Sequence, residues 1–321
     1  MRVTSLGSGS SGNSLLIEAG PQGRTKILID AGFPGRVVTE RLRIVGVTPA
    51  QLQGILITHE HIDHILGVPL LTKRYVLPII TDPRTYTAMQ HIFTENIVRT
   101  ESGTLIPLDA GYGTGDPRGR PGTETARPGT ETARPGIDLD SALFRPLPLG
   151  TRSVIGDIEV ISFPVSHDAT APGGYLLSAG GCRVCVVIDT GVVTNAMLEA
   201  IKQADLLILE SNHDRARLLR GPYPYMLKQR ILSETGHLSN DQAAEAVLRT
   251  WRSDAVRWLW LSHLSRTNNT PKLALQNMRE RIEEAGANLA RIHISVLPPQ
   301  MGGVWDSTQL WHSHTLWEMP G

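Results

Sequence analysis

Cysteine is nearly absent from this chain: two occur in 321 residues, Cys182 and Cys185. That excludes a disulfide framework and a zinc site built from thiolates. The two form a Cys-x-x-Cys, but they sit in Arg183-Val184-Cys185-Val186-Val187-Ile188, which reads as a strand, and residues three apart in a strand face opposite sides. Two buried reduced thiols are expected, not a chelate or a redox pair. Excess charge is absent too. Lys plus Arg equals Asp plus Glu at 31 each, so no global basic field advertises a polyanion binder, and any such contact has to be local. No apolar stretch approaches the length that crosses a bilayer, and the start, Met1-Arg2-Val3-Thr4-Ser5-Leu6-Gly7-Ser8, lacks the long apolar segment of a secretory signal. The expectation is a globular enzyme of the cytoplasm.

What the chain does have is Thr58-His59-Glu60-His61-Ile62-Asp63-His64, directly after the apolar run Gly54-Ile55-Leu56-Ile57. Imidazoles and carboxylate packed this tightly at the end of a buried strand would repel one another unless a cation sat between them. His59 and His61 alternate on an extended segment and point the same way. Asp63 and His64 open a periodic stretch (Ile65, Leu66, Val68, Leu70, Leu71) that predicts a helix. The two pairs can therefore serve two adjacent metal ions.

The same logic recurs along the chain. Apolar segments at 2–6 and 14–18 flank Gly7-Ser8-Gly9-Ser10-Ser11-Gly12-Asn13, which predicts a hairpin. Its loop is either a plain turn or a donor of backbone N–H groups and polar side chains, Ser11 and Asn13 among them, to a phosphate or other oxyanion. The strand Lys26–Ile29 ends in Asp30, a candidate partner for a ligand imidazole. Strand Ile158–Phe163 delivers His167, and strand Val184–Ile188 delivers Asp189, a carboxylate that a metal would satisfy. Strand 205–210 ends in Glu210, with His213 just beyond. Gly236-His237-Leu238-Ser239-Asn240 precedes a helix at 241–249, and strand 257–261 leads to His263. Helices are also expected at 36–45, from Pro83 to about His91, at 195–203 and at 271–285. Residues 120–136 hold a tandem seven-residue repeat, Arg-Pro-Gly-Thr-Glu-Thr-Ala, with no apolar residue larger than Ala. It reads as a disordered insertion, spanning 113–136, in one domain of 1–321. The tail at 300–321, with Trp305, Trp311, Trp317, His312 and His314, carries no assigned purpose.

In order, Asp30, the His59 to His64 motif, His167, Asp189 and His263 resemble the ligand-bearing segments of the metallo-β-lactamase superfamily. The resemblance implies an α/β fold, a four-layer αβ/βα sandwich with a dinuclear site on one edge. It implies that His59, His61 and His167 hold one ion and Asp63, His64 and His263 the other, with Asp189 and a hydroxide bridging two divalent ions, Zn2+ or Mn2+. Glu210 and the segment around His237 are similar to those of ribonuclease Z-type phosphodiesterases, in which a histidine donates a proton. Ser8–Ser14, Glu210-Ser211-Asn212-His213-Asp214, Gly221-Pro222-Tyr223-Pro224, Leu227–Ile231 and His263-Leu264-Ser265 with Asn268-Asn269-Thr270 are similar to the YycJ/WalJ-type exonuclease group.

That resemblance implies a metal-dependent phosphodiesterase or nuclease, a 5′ to 3′ exonuclease on DNA. The alternative is a small-molecule hydrolase of the glyoxalase II or lactonase type. A leaving alkoxide needs a proton, and His237 is an available donor, with His213 the second candidate. Asp63 counts both as ligand and, with His237 and His213, as a catalytic candidate. Ser11, Asn13, Lys228, Asn268 and Asn269 are the candidate substrate contacts, with Arg230 and Arg266 as further holders of phosphate. Asp30 and Glu210 would orient the ligands. Since the repeat holds no group that packs or ligates, deleting Thr114 to Pro135 should leave hydrolysis intact; a folded, metal-loaded deletion variant without activity would instead make the insertion part of substrate binding.

Overall fold

The computed structural model describes residues 1–99, 105–107 and 136–312, so the repeat and the end of the tail lie outside the described residues. Two seven-stranded sheets organise the chain. The first half supplies β1 (Arg2–Gly7), β2 (Ser14–Ala19), β3 (Thr25–Ile29), α1 (Gly35–Ile44), β4 (Ile55–Leu56), α2 (Ile62–Ile65), α3 (Val68–Tyr75), β5 (Ile79–Thr81) and α4 (Pro83–Glu95), then a small ribbon of β6 (Ile97–Arg99) and β7 (Leu105–Pro107), and β8 (Phe144–Pro146). The second half supplies β9 (Arg152–Ile155), β10 (Ile158–Pro164), β11 (Gly173–Ala179), β12 (Cys182–Val187), α5 (Asn195–Ile201), β13 (Leu206–Glu210), α6 (Arg215–Arg220), α7 (Tyr225–Leu232), α8 (Asn240–Arg249), β14 (Arg257–Ser262), α9 (Pro271–Glu284), β15 (Ile292–Val296) and finally β16 (Val304–Asp306).

The strand orders are β16-β1-β2-β3-β4-β5-β8 and β15-β14-β13-β12-β11-β10-β9. In each sheet a run of antiparallel neighbours gives way to a run of parallel ones, at β3 and at β12. Loops without helices join β9, β10, β11 and β12, whereas a parallel neighbour needs a crossover, which the helices provide. Those helices cover the outer faces, so the central strands are buried on both sides and read as continuous apolar runs. Side-chain alternation then sorts each run into two cores. Ile27 and Ile29 face the opposite sheet while Leu28 faces α1 and α3; Val184 and Val186 face inward while Cys185 and Val187 pack under α5, α8 and α9. Cys182 and Cys185 accordingly lie on opposite faces, both buried and unbridged. The layers run helix, sheet, sheet, helix, as the α/β sandwich expectation requires.

The segment from 300, without an assigned purpose in the sequence, supplies an edge strand: Val304, Trp305 and Asp306 pair antiparallel with Thr4, Val3 and Arg2 and close the edge of the first sheet. Trp305 is 1% exposed and belongs to the core between the sheets. Replacing it with alanine should cost about 3–5 kcal/mol, the usual range for a buried aromatic, in equilibrium urea unfolding. A loss below ~1 kcal/mol would mean that the edge strand contributes little to the core.

Candidate metal centre

Polar groups gather where parallel strands end. Asp30 follows β3, His59 and His61 follow β4, Asp63 and His64 lie in α2, His167 follows β10, Asp189 follows β12, Glu210 ends β13 and His263 follows β14. This is the edge at which open α/β sheets present ligand sites. The structure brings His59, His61 and His167 into one group and Asp63, His64, Asp189 and His263 into a second, the ligand atoms of each group lying within 4.8 Å of one another. His59 Nε2 lies 3.4 Å, and His64 Nε2 3.0 Å, from Asp189 Oδ2, so Asp189 sits between the two groups.

The ring nitrogens that face away from the centre are anchored. His64 Nδ1 lies 2.7 Å from Asp30 Oδ2, and His167 Nδ1 lies 2.9 Å from the carbonyl of Gly236. Asp30 is itself held by Thr58, whose amide and hydroxyl both donate to its carboxylate at 2.9 Å. The Thr58 hydroxyl also lies 3.0 Å from His59 Nδ1. Fixing one nitrogen of an imidazole sets the tautomer and aims the other, the arrangement found around metal-ligating histidines. In contrast, His59 Nε2 and His263 Nε2 are buried without a hydrogen-bond partner, and Asp189 Oδ1 is buried 2.5 Å from His263 Nδ1. Orphaned imidazole nitrogens that converge from separate strands beside a buried carboxylate fit a divalent cation.

The electrostatics point the same way. Burial holds the pKa of His59 well below the ordinary range and lowers that of His167 to about 4, so both imidazoles are neutral, the form that ligates metal. For His64, burial is outweighed by Asp30 and Asp63, which raise its pKa to about 10; for His263, burial is outweighed by Asp189. Buried carboxylates here demand positive charge nearby, which protons or metal ions can provide.

Backbone geometry serves the site. Asp30 and His263 both adopt left-handed conformations, φ 59° and 52°, which cost non-glycine residues roughly 1–3 kcal/mol each. Gly32 has no such φ but lies so close to the motif that a Cβ would sit 1.6 Å from the carbonyl oxygen of Asp63. Glu60 reaches sideways to accept from the amide and hydroxyl of Thr170, 2.6 Å each, and so ties the motif loop to the chain after His167.

A third group, Asp189, Glu210, His237 and His263, adjoins the second. Glu210 is fully buried, and its Oε1 lies 2.6 Å from His237 Nδ1 and 3.2 Å from His263 Nδ1. His237 lines a cleft, which Ser10, Asn212, Tyr223, Leu227 and Ser265 also border.

The remaining sequence candidates are placed differently. Asn13 bonds within its own loop at Gly9 and lies 3.1 Å from His64 Nε2 and 3.4 Å from Asp63 Oδ2, so it braces the ligands. Ser11 is exposed and accepts from Arg266. Lys228 donates to the carbonyls of Leu219 and Gly221, at 2.8 and 2.7 Å, fastening α7 to the end of α6. Asn268 and Asn269, expected to touch substrate, are both buried, and the Asn269 amide donates to the carbonyls of Ser211 and Asn212 and to Asn240. His213 belongs to none of the three groups. It is buried, burial lowers its pKa to about 4, and neither ring nitrogen has a hydrogen-bond partner, which leaves it neutral and poorly suited to donate a proton. Sequence reasoning passed over Asp168, whose carboxylate lies 2.6 Å from Arg230 Nε and 3.4 Å from His167 Nε2. Its only signal was adjacency to His167.

A four-layer sandwich with this strand-end cluster defines a metal-dependent hydrolase. The chain belongs to the metallo-beta-lactamase superfamily, whose family model matches residues 7–222. It is 34% identical over 280 residues to a Streptococcus pneumoniae protein named exodeoxyribonuclease WalJ, a match covering 87% of each chain. It is 32% identical to exodeoxyribonuclease YycJ of Bacillus anthracis, over 88% of this chain and 89% of that one. Among solved structures, the metallo-beta-lactamase fold protein YhfI from Bacillus subtilis matches with a TM-score of 0.58 at 15% identity, covering 95% of this chain and 99% of that one. The short form of human tRNase Z matches with 0.56 at 16%, covering 95% and 99%. Both show the shared fold.

Removing the Asp30 carboxylate should release the His64 ring. Asp30→Ala is expected to weaken metal affinity 10- to 100-fold in a competition titration with a chromogenic chelator. Unchanged affinity in folded protein would show that His64 needs no anchor.

Proposed function

We propose that this protein is a two-metal nuclease that hydrolyses phosphodiester bonds of DNA from a 5′ end. The observation that carries the reading is the Glu210–His237 pair beside the two ligand groups, supported by relatives named exodeoxyribonucleases over nearly the whole chain. His59, His61 and His167 would hold one ion and Asp63, His64 and His263 the other, with Asp189 between, Zn2+ or Mn2+ being the candidates. Bound ions of this kind activate water and offset the charge that develops on a phosphoryl group.

The chain's own residues supply the rest. Burial pushes the His237 pKa down, but the adjoining Glu210 carboxylate outweighs it and the net shift is upward. Glu210 thus keeps His237 protonated and holds Nδ1, leaving Nε2 to hand its proton to the departing oxygen. A thioester hydrolase, whose thiolate leaves readily, has less need of such a donor, which favours the phosphodiesterase over the glyoxalase II alternative; a lactone's alkoxide would need one too, and against a lactonase the reading is supported by the relatives named exodeoxyribonucleases. Sequestered, unbridged cysteines and a nucleic-acid substrate both suit the cytoplasm, and among the described residues no helix is long and apolar enough to cross a membrane.

Two measurements test the reading. Elemental analysis of active protein should find two ions per chain and His61→Ala should lower that number; one ion in fully active protein would remove the dinuclear scheme. His237→Ala should keep its metal yet cleave DNA about 10²- to 10⁴-fold more slowly, with a smaller loss on a nitrophenyl phosphodiester, whose leaving group needs little protonation. Equal losses on the two substrates, or a missing ion, would remove His237 from the proton-donor role and leave His213 as the next residue to test.

A further inference from the structure

The segment 215–233 contradicts the neutral balance of the chain. Arg215, Arg217, Arg220, Lys228 and Arg230 fall within it, and it contains no acidic residue. It also exposes apolar surface: Leu219 is 49% exposed, Tyr225 72% and Met226 75%, an unusual concentration of large apolar side chains on so short a stretch. These residues belong to α6 and α7, which form a largely exposed arm. Few of its side chains are buried, Leu218 and Ile231 being the anchors.

The arm is nevertheless held firmly. Lys228 caps the carbonyls at the end of α6, Arg217 Nε donates to the carbonyl of Thr267 at 2.9 Å, and Arg230 pairs with Asp168. Its inner side reaches the metal centre: Tyr223, Leu227, Arg230 and Ile231 wall the cleft that His237 lines from the other side. Arg266, exposed and bonded to Ser11, adds a cation next in the chain to Ser265, which borders the same cleft. Aromatic and apolar faces interleaved with arginines, continuous with a catalytic cleft, are what a single nucleic-acid strand meets, because its bases offer stacking faces and its backbone offers regular negative charge. A second copy of the chain fits less well, since it would bring the same five cations together.

We propose that the α6–α7 arm is a track for single-stranded DNA, with Tyr225 and Met226 as base platforms and Arg215 and Arg220 as phosphate contacts, feeding the strand into the cleft beside His237. The assignment rests on the nuclease reading. It adds that the polymer is gripped as a single strand, by residues that are not among the metal ligands.

The test uses full-length, metal-loaded protein and a fluorescein-labelled, phosphorothioate-linked oligothymidylate, which resists hydrolysis, followed by anisotropy. Tyr225→Ala combined with Met226→Ala should weaken binding roughly fivefold or more, as loss of a base platform does. Arg215→Gln combined with Arg220→Gln should lower the salt dependence of binding by about 1.4 in log–log slope, ~0.7 for each phosphate contact removed. Both double variants should lose more activity on DNA than on bis(p-nitrophenyl) phosphate, which is too small to span the arm. Wild-type affinity and slope in both variants would overturn the track, and an oligomer that Tyr225→Ala with Met226→Ala dissociates in gel filtration would then give the face to a second copy. If the wild-type protein hydrolyses the small diester but binds no oligonucleotide, the nuclease reading itself falls and the track with it.

Discussion

Everything at this centre depends on an unfavourable electrostatic bargain: carboxylates and imidazoles buried against one another with little water to screen them. Asp30, Asp189 and Glu210 are buried, and so are His59, His64, His167 and His263. Isolated buried charges of this kind are among the most costly features a protein can carry, and they persist only when paired, protonated or bound to a cation. Two sheets make the arrangement possible. Each contributes parallel strands whose ends stop at the same edge, so groups far apart in the chain converge without any one loop having to bend sharply.

Much of this was legible in the sequence because it is local. The motif from His59 to His64 announces itself through spacing alone, and the apolar runs before Asp30, Asp189 and His263 mark buried strands that end in polar groups. The alternation rule also placed Cys182 and Cys185 on opposite faces without any structural knowledge. What escaped was either short or non-local. The edge strand Val304–Asp306 is too brief to show a period, and α6 and α7 bury too few side chains to print an amphipathic stripe. Anchors supplied by the backbone, such as the Gly236 carbonyl that receives His167, have no sequence signature at all.

Asn268 and Asn269 show a role that the sequence does not signal. Polar, adjacent and close in sequence to a ligand histidine, they resemble substrate contacts, yet the Asn269 amide spans two carbonyls and a neighbouring asparagine beneath the surface. Buried backbone groups outside regular structure must find partners, and a side-chain amide is well suited to satisfy several at once. The segment from Ser211 to His213 keeps its irregular path beside the centre because these amides complete its hydrogen bonding.

The left-handed backbone at Asp30 and His263 bears on how far this protein can be stabilised. Glycine would relax the conformation at either position, so a screen for thermal tolerance would favour those exchanges early. Each would remove a side chain from the centre: the carboxylate that steadies His64, or the imidazole that faces Asp189 and Glu210. At these two positions selection for robustness and selection for chemistry pull in opposite directions. Descendants hardened against heat without regard to turnover would be expected to lose the centre there first.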